Sequence, residues 1–311
     1  MEEKQGADFM NIRKLIPRQA KPIGKKIMRL PKRLKAYGNY LTKKTVTKEM
    51  FLKGLEELGI KKGDAVEVHS SLSSFGFVEG GAKTVIESIL EQVGEEGTVL
   101  MPTFHGFNLH DIQPFDAEKS KSVVGTITEC FRKFDGVERS LHPTHSVAVC
   151  GKHAKYLIKD TLESKSPFDE HSPFYKLLSL DAKIVCLGVD IDTISFYHAV
   201  EDSMKEFPLP IYLPKTYSVK SIDSQGKARE IKTRAHDPEF HNYCIDKNPA
   251  IIKRIKNHFK EEGIISETFI GRGYCCSLPV NGVFKCLRRL AEKGETIYAI
   301  SKEEQEQKKA G

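Results

Sequence analysis

Ala65-Val66-Glu67-Val68-His69-Ser70-Ser71-Leu72-Ser73-Ser74-Phe75-Gly76-Phe77-Val78-Glu79-Gly80-Gly81-Ala82 decides the fold of this chain. A short apolar run, Ala65 to Val68, gives way to a Ser/Gly-rich loop. A segment from Ala82 to Val93 follows, with Val85, Ile86, Ile89 and Leu90 at helical spacing. That is a strand, a loop and a helix in sequence. Upstream, Met50, Phe51, Leu55 and Leu58 share one face of a helix predicted over Thr47–Leu58. Downstream, Gly94-Glu95-Glu96-Gly97 turns the chain into a strand at Thr98–Met101. Further strands are expected at Ser146–Val149 and Lys183–Val189. The latter leads into a helical stretch around His198-Ala199-Val200-Glu201. Alternating strands and helices predict α/β layers around a largely buried sheet. Between Ile211 and Glu230 the pattern is alternating and polar, which predicts a small antiparallel appendage.

The composition is that of a globular chain, with 39% hydrophobic and 29% charged residues. The 7 cysteines are odd in number and include no CxxC pair, which argues against a disulfide framework or a zinc ribbon. No apolar run approaches the ~20 residues of a membrane span. No signal-type apolar core opens the chain. The expectation is a cytoplasmic protein.

The net charge of +7 is unevenly distributed. Between Phe9 and Lys48 there are 13 Lys/Arg and no Asp or Glu, so the remainder is net acidic. The reading divides the chain into a basic extension (1–45), a catalytic body (46–300) and a charged tail (301–311). Pro17, Pro22 and Pro31 break any long helix in the extension. The plainer expectation for it is a mobile basic tail. The sharper one is attraction to anionic lipid at the inner face of the membrane, since cations there alternate with aliphatics. Few aromatics and no binding motif argue against nucleic acid.

Three constellations carry chemistry. His69-Ser70-Ser71 with Gly80-Gly81 lies between a strand and a helix, where backbone N–H groups can hold a phosphate or pyrophosphate. An ordinary βα loop would look the same, and neither GxGxxG nor a Walker pattern is present. His142-Pro143-Thr144-His145-Ser146 sets two histidines three apart before a strand. Nothing nearby completes a zinc pattern, so no metal is expected. These residues read either as loop supports or as acceptor and thioester contacts. His198 and Glu201, at i and i+3, share a helix face. The pair reads as a general base, or as a solvated ion pair.

Taken together, the motifs resemble those of the aminoglycoside 3-N-acetyltransferases. Val68-His69-Ser70-Ser71-Leu72, with Gly76, Val78, Gly80-Gly81-Ala82 and Val85, is similar to that family's opening motif. Gly97-Thr98-Val99-Leu100-Met101-Pro102-Thr103-Phe104 follows it. His142-Pro143-Thr144-His145-Ser146-Val147-Ala148 resembles the central motif, and Ser172-Pro173-Phe174 the family's Ser-Pro turn. His198-Ala199-Val200-Glu201 resembles its His-x-x-Glu. The order holds from residue 65 to about 205.

The resemblance implies an α/β/α layered sandwich with a mixed, largely buried central sheet, acetyl-CoA as donor, and no metal. It implies that His69, Ser70, Ser71, Gly80, Gly81, Thr103 and Phe104 hold the CoA moiety. His198 would be the catalytic histidine, with Glu201 beside it. His142, Thr144, His145 and Ser146 would line the thioester end, with Ser146 a candidate oxyanion donor. Asp169 and Asp202 are candidate acceptor contacts, as are Glu170, Asp190 and Asp192. The expected reaction is direct N-acetylation of an aminosugar. Ping-pong transfer through Cys150 or Cys186 is the competing mechanism. Two other functions stay open. One is acylation of a surface polysaccharide or its nucleotide-linked precursor, for which Lys205, Lys215 or Arg272 would supply cations. The other is acyl-CoA binding without turnover. Assembly into a homo-oligomer is also left open.

Overall fold

The computed structural model describes residues 45–106, 113–300 and 304. The readings of 1–44 and of the rest of 301–311 lie outside the described residues. In chain order the strands are Thr45–Val46 (β1), Ala65–Ser70 (β2), Phe77–Val78 (β3), Thr98–Pro102 (β4), Phe115–Asp116 (β5), Glu138–Arg139 (β6), Val147–Gly151 (β7), Lys183–Leu187 (β8), Tyr212–Ile222 (β9), Ala228–His236 (β10), Ser266–Ile270 (β11) and Gly273–Pro279 (β12). The principal helices are Lys48–Glu57 (α1), Ala82–Val93 (α2), Thr126–Phe131 (α3), His198–Ser203 (α4), Pro249–Glu261 (α5) and Val280–Glu292 (α6).

Seven strands form one sheet in the order β11-β12-β8-β2-β4-β7-β6. Its centre, β8-β2-β4, is parallel, and β12 and β7 flank it antiparallel. The sheet is therefore mixed. Alternation along each central strand feeds two cores. Val66, Val68, Val99, Met101, Val185 and Leu187 pack with Phe51 and Leu55 of α1 and Val85, Ile86 and Ile89 of α2. Leu100, Ile184 and Cys186 pack with Ile255 and Phe259 of α5 and Val283 and Leu287 of α6. Both faces are covered, so the parallel strands read as near-continuous apolar runs. Each aliphatic side chain fully buried there contributes about 1.5–3 kcal/mol. The result is the expected α/β/α sandwich.

Two strand boundaries differ from expectation, and both bear on function. β8 stops at Leu187 because Gly188 turns away at φ +73°, its N–H donating to the Tyr274 carbonyl. The antiparallel appendage is the β9–β10 hairpin, and it runs past Glu230 to His236 through an irregularity between Arg234 and His236. Alternation across Ile231, Thr233 and Ala235, all buried, extends the strand that far. Among the described residues no helix is long and apolar enough to cross a membrane.

Candidate active site

The carboxyl ends of β2, β4 and β8 open onto a cavity of about 530 Å³, the usual ligand position in a sheet of this kind. Its lining includes His69, Ser70 and Ser71 from the end of β2, Phe104 beyond β4, Gly125 before α3, and Ser195 just ahead of α4. Ser70 Oγ is buried and has no hydrogen-bond partner among the described residues. His69 Nε2 lies 2.8 Å from Glu67 Oε1 and 3.4 Å from the Ser195 N–H. One nitrogen cannot both donate and accept, and the shorter contact to the fully buried Glu67 carboxylate governs. Gly188 backs the loop. A Cβ there would come within 2.9 Å of the Ser71 carbonyl and of Ser74 Cβ. At the cavity rim, Arg272 donates to the carbonyl of Ser73 at 3.3 Å.

Three residues on from Ser195, α4 presents His198. Its Nδ1 lies 3.0 and 2.9 Å from the two Glu201 carboxylate oxygens. The imidazole retains 19% exposure and the carboxylate 2%. Tyr298 donates its phenol to Glu201 Oε1 at 2.8 Å. His236 Nε2 lies 3.5 Å from Oε2. Burial alone would push the His198 pKa down. The Glu201 charge and hydrogen bond outweigh it and hold His198 above the ordinary histidine value. Its neighbours go the other way, because burial pushes His145 and His236 well below that value. Phe168, fully buried, joins the three rings, with centroids 4.9 Å from His145, 4.9 Å from His198 and 5.8 Å from His236. Phe104 links the cluster to the cavity, since it lines the cavity and packs on His145 at 4.5 Å.

The other expected residues divide into supports and outliers. Ser146 is fully buried, and its Oγ donates to the Thr103 carbonyl at 2.9 Å. Thr103 is also fully buried and returns a hydroxyl bond to the Ser146 carbonyl at 3.1 Å. The two fasten the end of β4 to the start of β7, and each hydroxyl is engaged within the protein. His142 Nδ1 accepts from the Thr144 and His145 N–H groups at 3.4 and 3.3 Å, and its Nε2 meets Thr233 Oγ1 at 3.1 Å. It is a loop support, with its pKa pushed by burial to about 3. Thr144 Oγ1 bonds His145 Nδ1 at 2.8 Å, so Thr144 positions His145. Asp169 spends its oxygens on the N–H groups of Lys165, Ser166 and His171, which caps a turn. Asp202 is taken by Ser166, by the Tyr212 phenol at 3.0 Å and by Arg234 at 3.1 Å. Both carboxylates are thus held by partners within the protein. Gly80 and Gly81 precede α2 outside the cavity lining, both at positive φ. Asp190 pairs with Lys256 at 2.9 Å.

The competing nucleophiles are unfavourably placed. Cys186 is fully buried beside Cys276, which raises its pKa well above the ordinary thiol value, and burial raises Cys150. A thiolate is costly at either position.

Sequence reasoning missed Tyr298, His236, Tyr212 and Phe168. Tyr298 and His236 lie 97 and 35 residues from Glu201, and no local pattern marks them. Glu67 did leave a signal, being a carboxylate in the middle of an apolar strand.

The family model for aminoglycoside 3-N-acetyltransferases matches residues 68–292. The SPβ prophage-derived aminoglycoside N(3')-acetyltransferase-like protein YokD of Bacillus subtilis is 33% identical over 181 residues, 50% of this chain and 64% of that protein. An aminoglycoside N(3)-acetyltransferase III of a Salmonella species is 30% identical over 248 residues, 74% of this chain and 85% of the relative. Among solved structures, aminoglycoside acetyltransferase AAC(3)-Xa superposes with a TM-score of 0.71 at 25% identity, covering 81% of this chain and 94% of its own. AAC-IIIb in binary complex with CoASH shares the fold at TM-score 0.70 and 23% identity, over 81% of this chain and 98% of that one.

Proposed function

The chain belongs to the aminoglycoside 3-N-acetyltransferase family, and we propose that it moves the acetyl group of acetyl-CoA directly onto an amino group of an aminosugar acceptor. The observation that carries the reading is the His198–Glu201–Tyr298 relay behind the cavity. With Nδ1–H donating to Glu201, His198 keeps a lone pair on Nε2, the tautomer a general base needs. An acceptor ammonium gives its proton to that nitrogen. The freed amine attacks the thioester carbonyl and forms the C–N bond. The C–S bond then breaks, and the CoA sulfur leaves with the electron pair and takes up the second proton that the nitrogen loses as the amide forms. The Glu201 side chain, bonded to Nδ1, holds and stabilises the imidazolium while it exists.

The cavity suits the donor. Its volume falls in the ~300–1,000 Å³ range of ligand sites. Ser70 Oγ lacks a partner among the described residues and can bond a carbonyl or amide of the pantetheine arm. Arg272 at the rim supplies a cation for the CoA phosphates. Phe104 lines the cavity and packs on His145, and Phe168 packs on both His145 and His198, which links the cavity to the base.

The test is release of CoA thiol from acetyl-CoA across a panel of aminoglycosides and free amino sugars, with products read by mass spectrometry. Acetylated amine from wild type, lost in His198→Ala with acetyl-CoA binding retained, is the expected result. Full turnover in His198→Ala would remove His198 from the mechanism. A wild type that binds acetyl-CoA but acetylates no amine on the panel would overturn the aminosugar assignment.

A further inference from the structure

The side chains around Glu201 form a set that acyl transfer alone does not require. One donor atom from each of His198, Glu201 and His236 lies within 4.8 Å of the other two. Both His198 and Glu201 come from α4, one helical turn apart, and His236 arrives from the end of β10. Glu201 Oε2 lies 2.9 Å from His198 Nδ1 and 3.5 Å from His236 Nε2. In a tetrahedral zinc site with bonds of ~2.1 Å, neighbouring ligand atoms stand about 3.4 Å apart. The carboxylate–nitrogen distances already bracket that edge.

Two features make the set a built one. His236 Nε2 is buried and, beyond the 3.5 Å approach of Glu201 Oε2, has no hydrogen-bond partner among the described residues, so its ring carries a donor or lone pair that they do not fully satisfy. Its orientation is fixed by the ring of Phe168, stacked at 11°, and by Tyr212, with centroids 4.6 Å away. Behind the carboxylate, the Tyr298 phenol occupies Oε1 and leaves Oε2 facing the two imidazoles. Outer hydrogen bonds of this kind orient the ligands of real metal sites.

We propose that His198, Glu201 and His236 bind a divalent first-row transition ion of the zinc or cobalt class, and that the bound ion holds acetyl transfer off. Two imidazoles and one carboxylate suit such an ion better than calcium or magnesium. The inhibition follows from the tautomer. In the base form His198 carries its proton on Nδ1 and its lone pair on Nε2. Coordination through Nδ1 takes the place of that proton, which moves to Nε2. No net proton is released from the ring, but Nε2 no longer has a pair with which to accept one. This second half rests on the acyl-transfer reading, whereas the binding itself does not.

The experiment uses the full chain, stripped with chelator and free of CoA, whose thiol would itself take up the ion. Titration with Co²⁺ is followed by visible absorption. The expected result is saturation at one ion with an intense tetrahedral d–d band, lost in Glu201→Gln and weakened at least about tenfold in affinity in His236→Phe. Phenylalanine keeps a ring between Phe168 and Tyr212, and thermal unfolding of the metal-free variant checks that the fold survives. In a mass-spectrometric assay Zn²⁺ is expected to stop wild-type acetylation, reversibly with chelator, and to leave His236→Phe at its own metal-free rate. Absence of a Co²⁺ band, or an unchanged Co²⁺ affinity in His236→Phe, overturns the site. Binding without inhibition overturns the control. Failure of wild type to acetylate any acceptor sinks the acyl-transfer reading and leaves the Co²⁺ spectrum unaffected.

Discussion

Tyr298 and Glu201, 97 residues apart in the chain, meet at 2.8 Å, with the phenol donating to a carboxylate that is almost completely buried. The contact ties the segment after α6 to the helix that carries His198. A buried carboxylate held between a phenol and an imidazole has little freedom to rotate, so the direction of the His198 ring depends on a residue far from it in sequence.

Tyr298→Phe removes that donor and nothing else. A hydrogen bond to a charged group contributes about 1.5–3 kcal/mol, and the variant should lose stability of that order in urea unfolding. It should also lower kcat by about tenfold while leaving KM for acetyl-CoA unchanged, because the donor cavity is untouched. Loss of stability with kcat intact would show that Tyr298 supports the fold without orienting the base.

The pH profile tests the base itself. His198 must be neutral to accept a proton, so kcat/KM rises with pH through its pKa. Glu201 holds that pKa above the ordinary value, which places the acid limb above about 6.5. In Glu201→Gln the charge is gone and burial remains, so the limb should move below that value, on top of a lower maximum. A limb that stays put in Glu201→Gln would assign it to another group.

The sheet and the loop that lines the cavity were legible because their signals are local. Val66, Val68, Val99 and Val185 sit in short, mostly apolar runs with a glycine near one end, and period and length are enough to read them. His198 and Glu201 were legible for the same reason, being one helical turn apart. The surroundings of Glu201 were not. Tyr298 and His236 reach it only once α6 and β10 have folded over α4, and no spacing along the chain encodes that approach. Ser146 shows the converse. Its motif placed it beside the chemistry, but its hydroxyl is consumed by Thr103 across the β4–β7 pair, a partner 43 residues away. Asp169 and Asp202 were chosen as acidic residues near the cleft. Acidity alone could not reveal that backbone N–H groups and Arg234 had already claimed them.

Gly188 supports the cavity from below. It sits at φ +73°, and a Cβ would press on the Ser71 carbonyl and on Ser74. Gly188→Ala combines a disfavoured backbone with a contact shorter than van der Waals distance, at a cost of about 1–3 kcal/mol. The loop can relieve the clash only by moving Ser71, which lines the cavity. KM for acetyl-CoA should therefore rise more than kcat falls. A variant as stable as wild type with an unchanged KM would mean that the loop does not shape the donor site.

Arg272 separates two assignments of the same cation. If it meets the phosphates of CoA, Arg272→Ala should raise KM for acetyl-CoA several-fold, and the effect should shrink as salt rises, since a rim charge is screened. Acetyl-pantetheine, which lacks those phosphates, should be used equally well by both proteins. If Arg272 instead recognises a phosphate on a nucleotide-linked sugar acceptor, KM for the acceptor moves and the acetyl-CoA value does not. The geometry favours the first outcome. Arg272 bonds the Ser73 carbonyl, and Ser73 belongs to the cavity lining together with His69, Ser70 and Ser71, whereas on the proposed mechanism the acceptor meets His198, which is not in that lining. Steady-state kinetics with the two donors, at low and moderate salt, decides between them.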